Sequence, residues 1–234
     1  MSNTQTSFDD IAENYARIRE NMAKAMAEAG RTDRVQLMAV TKTVSPDRIN
    51  RAVTLGADLL GENRVQEFLE KRESYLPAPV HFIGSLQSNK VKYIIDKVTM
   101  IHSVDSLRLA REIDRRAAEH GIVMDILAEI NIGGEETKGG ISPTQARELC
   151  DELCGLENVR LRGLMTIPPP CCGEQCYADM QALFVRLGQT LPLRDRAAFD
   201  TLSMGMSGDY ETAIKYGATI IRVGSGLFGY RKYL

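Results

Sequence analysis

Residues 35–42 read VQLMAVTK, a short and nearly unbroken apolar run that closes on a threonine and a lysine. Its length and composition suit a strand. Working outward, similar apolar or β-branched runs recur at 57–61, 80–83, 99–104, 124–130, 159–165, 201–204 and 219–223, making eight with the first. Helical patterns with legible starts lie between them. Ser45-Pro46-Asp47, Ser106 and Ser142-Pro143 each offer a serine cap, two of them with proline at the first helical position. Gly56, Gly121, Gly155 and Gly217 mark helix ends. Ahead of the first strand, residues 7–29 carry Phe8, Ile11, Tyr15, Ile18, Met22, Met26 and Ala29 at three-and-four spacing. That spacing predicts an amphipathic helix, with Ser7 and Asp10 as its capping box and Gly30 as its stop.

Strand and helix alternating eight times, at intervals of roughly 20 to 40 residues, is the pattern of a (β/α)8 barrel, which takes about 250 residues. One barrel uses the 234 residues present. The expected fold class is α/β: a single TIM barrel over residues 1–234 with an extra N-terminal helix, residues 1–6 forming a flexible tail. A doubly wound open sheet also alternates, but its first strand should lead into a glycine-rich turn. Lys42-Thr43-Val44-Ser45 contains no glycine.

The composition, 44% hydrophobic and 26% charged, is that of an ordinary globular protein. With 29 basic against 31 acidic residues the net charge is −2, which gives no global attraction to nucleic acid or to an anionic membrane. The N-terminal MSNTQTSFDD has no basic stretch followed by an apolar segment, so the chain reads as cytosolic. The five cysteines do not form the framework of a secreted protein. Cys150 and Cys154 share a helical stripe with Ala146, Leu149 and Leu153 and read as core. Cys171, Cys172 and Cys176 follow three prolines and read as incidental thiols, since a zinc site needs a fourth ligand and no histidine lies nearby in sequence. His81, His102 and His120 read as scattered, forming neither a triad nor a metal site.

Active sites of such barrels are built at the carboxyl ends of the strands, with a phosphate site commonly formed after the seventh and eighth. Lys42 closes the first strand behind Met38, Ala39 and Val40, a setting that strips water from its amine and favours a nucleophile able to condense with an aldehyde. Glu62 and Asn63 follow the second strand, Gly84 and Gln87 the third, and Asn131 the fifth. MGMSGD at 204–209 places Ser207 and Gly208 just before a helix expected from Asp209, an anion seat. RVGSG at 222–226 places Gly224 and Ser225 just past the last strand, where a backbone can approach phosphate closely. Arg222 lies in an otherwise apolar strand. It requires either a core carboxylate or a ligand ring nitrogen or acid group as partner. The charged loop 133–140 (GGEETKGG) reads as a solvated lid from which Lys138 could reach an anion.

With these positions in hand, the chain resembles the pyridoxal phosphate homeostasis protein family, single-barrel relatives of the N-terminal domain of alanine racemase. The resemblance rests on AVTKTVSPDRI around Lys42, GENRVQE at 61–67, HFIGSLQSNK at 81–90, NIGGEETKGG at 131–140, RGLMTI at 162–167, LSMGMSGDYETAI at 202–214 and IRVGSGLFG at 221–229. It implies a fold type III barrel holding pyridoxal 5′-phosphate (PLP) as an internal aldimine on Lys42. Asn63 would contact the ring, Met206, Ser207, Gly224 and Ser225 would hold the phosphate, and Arg222 would face the pyridine nitrogen. An arginine there disfavours protonation of that nitrogen and weakens the cofactor as an electron sink. Racemases of this type carry a further β domain that supplies a second base, and this chain stops barely past the eighth strand. The function so implied is buffering or delivery of PLP in vitamin B6 and amino-acid homeostasis, without turnover, by a monomer whose candidate recipients are PLP-dependent apoenzymes. The competing readings are a PLP-dependent amino acid racemase and a lysine Schiff-base aldolase acting on phosphorylated substrates.

Overall fold

The computed structural model describes residues 8–135, 138–170, 172–194 and 196–229. Its eight strands are β1 (Gln36–Val40), β2 (Leu59–Glu62), β3 (Val80–Phe82), β4 (Met100–Val104), β5 (Met124–Ile130), β6 (Val159–Thr166), β7 (Thr201–Ser203) and β8 (Ile220–Val223). They pair in parallel and in chain order, and β8 returns to β1 with Met38 opposite Arg222, which closes the barrel. The expected TIM barrel is the fold.

The helices are α1 (Phe8–Glu28), α2 (Pro46–Thr54), α3 (Val65–Lys71), α4 (Leu107–Glu119), α5 (Ala146–Cys154), α6 (Gly173–Thr190), α7 (Tyr210–Lys215) and α8 (Ser225–Phe228). Alternation along each strand divides its side chains between two cores. Leu37, Ala39, Leu60, Ile221 and Val223 join the helices in the main core. Met38, Val40, Leu59, Ile83 and Ile220 form one separate cluster, and Met100, Leu127 and Met165 another.

The extra N-terminal helix is present as expected, although Ser7, half of its predicted capping box, lies outside the described residues, as do residues 1–6. Gly30 ends it with φ 63°. The buried stripe Ile11, Ile18, Met22 and Ala25 packs α1 against α2, α7 and α8. Asn14 Nδ2 donates to Leu227 O at 3.2 Å and Asn21 Nδ2 to the Tyr210 hydroxyl at 3.1 Å. The first helix therefore ties down the last two.

The start of α5 differs from the reading, while Gly155 ends it as expected. Ser142 opens a turn, its hydroxyl pairing with Thr144 and Gln145, and α5 starts only at Ala146. Gly155 keeps a right-handed φ of −80°, unlike Gly56, Gly121 and Gly217. Among the described residues no helix is long and apolar enough to cross a membrane.

Candidate functional site at the barrel mouth

A cavity of about 480 Å³ opens at the carboxyl ends of the strands, and all seven expected residues, Lys42, Asn63, Met206, Ser207, Arg222, Gly224 and Ser225, line it. Val40, Ile83 and Ile167 supply apolar wall. Residues up to 183 positions apart thus converge because barrel closure brings β8 beside β1.

Lys42 does not end the strand, as the sequence suggested. It sits two residues past β1 in a turn closed by Val44 N donating to Thr41 O at 3.0 Å, and it is half-buried rather than stripped of water. The next residue, Thr43, has φ 58°. A β-branched residue adopts that left-handed conformation only when its surroundings impose it. Here they do. Thr43 N donates to the Glu67 carboxylate, which also pairs with Lys71, and Lys71 Nζ donates to Thr41 O at 3.2 Å. Thr41 Oγ1 donates to Glu62 Oε1 at 2.6 Å, and the Tyr75 hydroxyl donates to the same oxygen at 2.5 Å. Burial pushes the Glu62 carboxyl up, partly offset by those two hydrogen bonds. None of these clamp residues on α3 and beyond was singled out in the sequence, where Glu67, Lys71 and Tyr75 look like ordinary surface positions.

Asn63 follows β2 directly, and its Oδ1 is buried without a hydrogen-bond partner. An orphaned buried acceptor is costly unless a ligand completes it. Its backbone lies so close to Gly84 that a Cβ at 84 would sit 2.1 Å from Asn63 O. Only glycine fits there.

Arg222 is buried to 4% exposure. Its Nη1 donates to Ser203 Oγ and its Nη2 to Thr166 O, both at 2.8 Å. No carboxylate pairs with it among the described residues, though Glu129 acts on it through space. Burial lowers its pKa to about 10, so it stays a cation at neutral pH.

Behind it two of the three histidines, His81 and His102, prove not to be scattered. His102 Nδ1 lies 3.1 Å from Ser203 Oγ, and His102 Nε2 lies 2.9 Å from His81 Nδ1. The Arg222 guanidinium, the Ser203 hydroxyl and the two imidazoles thus form one continuous buried chain of hydrogen bonds. Both rings are neutral: burial lowers His81 to about 4 and His102 well below its ordinary value. The pair was missed because β3 and β4 must lie side by side before residues 21 apart can meet.

On the β7–β8 side the seat is mostly backbone. Gly205, at φ 90°, lets the chain turn against Ala213 and Tyr210, where a Cβ would meet Ala213 Cβ at 2.5 Å. Ser207 Oγ accepts from Gly226 N at 3.0 Å and from Gly224 N at 3.3 Å. Two backbone amides therefore fix the Ser207 oxygen at the cavity wall, beside Gly224 and Ser225. The following helix starts at Tyr210, one residue later than expected, and Asp209 instead reaches back to accept from Met206 N at 2.5 Å.

Lys138 lies outside this cavity and pairs with Glu135, while residues 136 and 137 of the expected lid are outside the described residues. Cys150 is core, as expected. Cys172 and Cys176, expected to be incidental thiols, are joined as a disulfide, and Cys171 lies outside the described residues. No group of three or more His, Cys, Asp and Glu that could hold a metal occurs among the described residues.

Residues 14–232 match the alanine racemase, N-terminal domain family. The pyridoxal phosphate homeostasis protein of Aquifex aeolicus (strain VF5) is 46% identical over 233 residues, covering 96% of this chain and all of that one. The structure of PipY from Synechococcus elongatus PCC7942, solved with PLP bound, superposes with a TM-score of 0.80 at 34% identity, covering 94% of this chain and 100% of that one. An alanine racemase of Clostridium difficile 630 matches at a TM-score of 0.71 but only 17% identity, over 94% of this chain and 58% of that one, and so shares the fold. The chain therefore belongs to the alanine racemase N-terminal domain family and, within it, to the pyridoxal phosphate homeostasis proteins.

Proposed function

We propose that this protein binds PLP at the barrel mouth, covalently through Lys42, and serves intracellular PLP and amino-acid homeostasis without turnover of its own. The observation that carries the reading is one cavity lined by an accessible lysine amine, the Ser207 hydroxyl with the Gly224–Ser225 turn beside it, and a buried cation. Those residues fit the cofactor. Asn63 Oδ1 needs a ligand donor, and about 480 Å³ is ample for a phosphorylated pyridine. Lys42 would meet the aldehyde, Met206, Ser207, Gly224 and Ser225 would hold the phosphate, Asn63 would lie along the ring, and Arg222 would face its nitrogen. When bound, PLP supplies an aldehyde and an electron-accepting ring. Arg222, a cation at neutral pH, opposes a second positive charge beside it and so weakens that electron acceptance.

Racemisation needs proton transfer on both faces of one carbon. Among the described residues lining the cavity, Lys42 and Arg222 are the only ionisable ones, which supports binding over turnover. The experiment is borohydride reduction of the purified protein followed by peptide mapping, with the label expected on Lys42. Label on another lysine would overturn the assignment. Sustained conversion of single alanine or serine enantiomers, read by chiral chromatography, would establish the racemase instead, and a colourless protein would favour the aldolase. A monomer in the cytoplasm, handing PLP to apoenzymes, completes the proposal.

A further inference from the structure

Thr43, the residue after the reactive lysine, is the one described non-glycine residue with a positive φ, 58°. Its side chain is exposed, so packing of that side chain does not account for the conformation. A β-branched residue avoids the left-handed region, and strain of this kind persists only where the surroundings over-determine the backbone. The contact that does so falls on its amide: Thr43 N donates to Glu67 Oε1.

Glu67 does not act alone. Glu67 and Lys71 lie four residues apart on α3 and so share one face of that helix. Lys71 Nζ donates to the same Glu67 oxygen and, at 3.2 Å, to Thr41 O. Thr41 O also accepts from Val44 N at 3.0 Å, which closes the turn, and Thr41 Oγ1 is held by the buried Glu62. One carboxylate–ammonium pair therefore grips the chain immediately before and immediately after Lys42. Its two side chains are only 17% and 16% exposed, so solvent and salt screen the pair less than they would a surface pair. Lys42, between the two gripped residues, lines the mouth cavity.

We infer that Glu67 is a positioning residue: by holding Thr43 in the left-handed region, with Lys71 as its brace, it aims the Lys42 amine at the aldehyde. This assignment rests on the PLP reading above and names the residue that makes that lysine competent. The step it serves is a condensation without net oxidation. The Lys42 nitrogen bonds to the aldehyde carbon, and the aldehyde oxygen leaves as water with the two amine protons. Nitrogen and carbon must meet in one orientation for that bond to form, whereas holding the phosphate does not depend on where the amine points. Without the grip, Thr43 relaxes to negative φ and the chain carrying Lys42 turns with it. Glycine occupies the left-handed region without strain, so a Thr43→Gly chain should need Glu67 less.

The test measures, on the full-length protein, the rate at which PLP forms its borohydride-trappable bond to Lys42 and, separately, the Kd of pyridoxamine 5′-phosphate, which has the ring and the phosphate but no aldehyde. Glu67→Ala should slow bond formation roughly ten- to thirtyfold and leave pyridoxamine phosphate binding unchanged. Glu67→Gln, which keeps an acceptor for Thr43 N, should lose less. In a Thr43→Gly background the Glu67→Ala change should cost roughly threefold or less, a non-additivity that a general loss of stability does not produce. An undiminished rate in Glu67→Ala, an equal loss in both backgrounds, Glu67→Gln as slow as Glu67→Ala, or equal weakening of PLP and pyridoxamine phosphate would overturn the inference. If neither the parent nor the variant takes up PLP, the cofactor reading fails, and a crystal structure of Glu67→Ala decides the positioning role by itself: residue 43 leaving positive φ upholds it, and residue 43 staying there ends it.

Discussion

The two sides of the barrel mouth are built from different materials. Around Lys42, the turn is held by side chains, many of them charged: Glu67, Lys71, Glu62, Tyr75 and Thr41, with Thr43 forced into a left-handed conformation. Around Ser207 the work falls to backbone amides, one hydroxyl and Gly205. On the PLP reading proposed above, the contrast follows from what each side would do. A lysine has four rotatable carbons, so its base must be fixed if the amine is to meet an aldehyde in one place. A phosphate is large and multiply charged, and converging N–H groups satisfy it without burying any countercharge. Arg222, between the two, combines both strategies: a buried cation held by a hydroxyl and a carbonyl.

The severest break in this comparison is Lys42→Ala. It should abolish the absorbance band of the bound cofactor while leaving weak binding anchored at the Ser207 side. An unchanged band would mean another lysine carries the cofactor. Next comes Gly84→Ala, whose Cβ would collide with Asn63 O, against Gly208→Ala on the other side, where nothing lies within 4 Å. The first should cost about 2–3 kcal/mol in urea denaturation and weaken PLP binding, and the second about 0.5 kcal/mol or less. Similar costs would show that the two sides are equally rigid. Ser207→Ala removes an oxygen that accepts from two amides and should weaken PLP binding by roughly five- to tenfold, with the adduct still on Lys42.

The smallest effect is a slope with pH. His81, lowered to about 4 by burial from 6.5, is protonated in the unfolded chain before the folded one as pH falls, so its contribution to stability is lost between those values. Glu129, raised from 4.5 to about 7 by burial and by Asp105, is protonated first in the folded chain, so stability grows as pH falls through that window. The two oppose each other. Glu129→Gln should therefore steepen the loss of stability between about pH 7 and about pH 5, and His81→Asn should flatten it, as measured by denaturant titration at both. Parallel slopes for all three proteins would remove both groups from the account.

The strands were legible because a barrel strand, packed on both faces, writes itself as an apolar run, and Lys42, Ser207, Arg222 and Gly224 were legible because they interrupt or end such runs. Asn63 and Met206 were not; an asparagine in a loop and a methionine beside a glycine look like many others, and only the family motif marked them. What stayed hidden depends on neighbours in space. Pairing of β3 with β4 brings His81 to His102, and α3 must fold back over the β1 turn before Glu67 and Lys71 meet Thr43 and Thr41. The disulfide escaped for a related reason. Cys172 and Cys176 follow three prolines and read as incidental thiols, and their pairing depends on how α6 begins.

Because β8 closes on β1, and α1 hydrogen-bonds residues near 210 and 227, the two halves of the mouth meet through contacts some 184 to 213 positions apart. A nascent chain halted after β6 would present the reactive lysine with nothing to anchor a vitamer opposite it. If the chain binds PLP as proposed above, capture during synthesis must wait for the last strand to leave the ribosome, and a truncated product would be a poor competitor for the cell's pool.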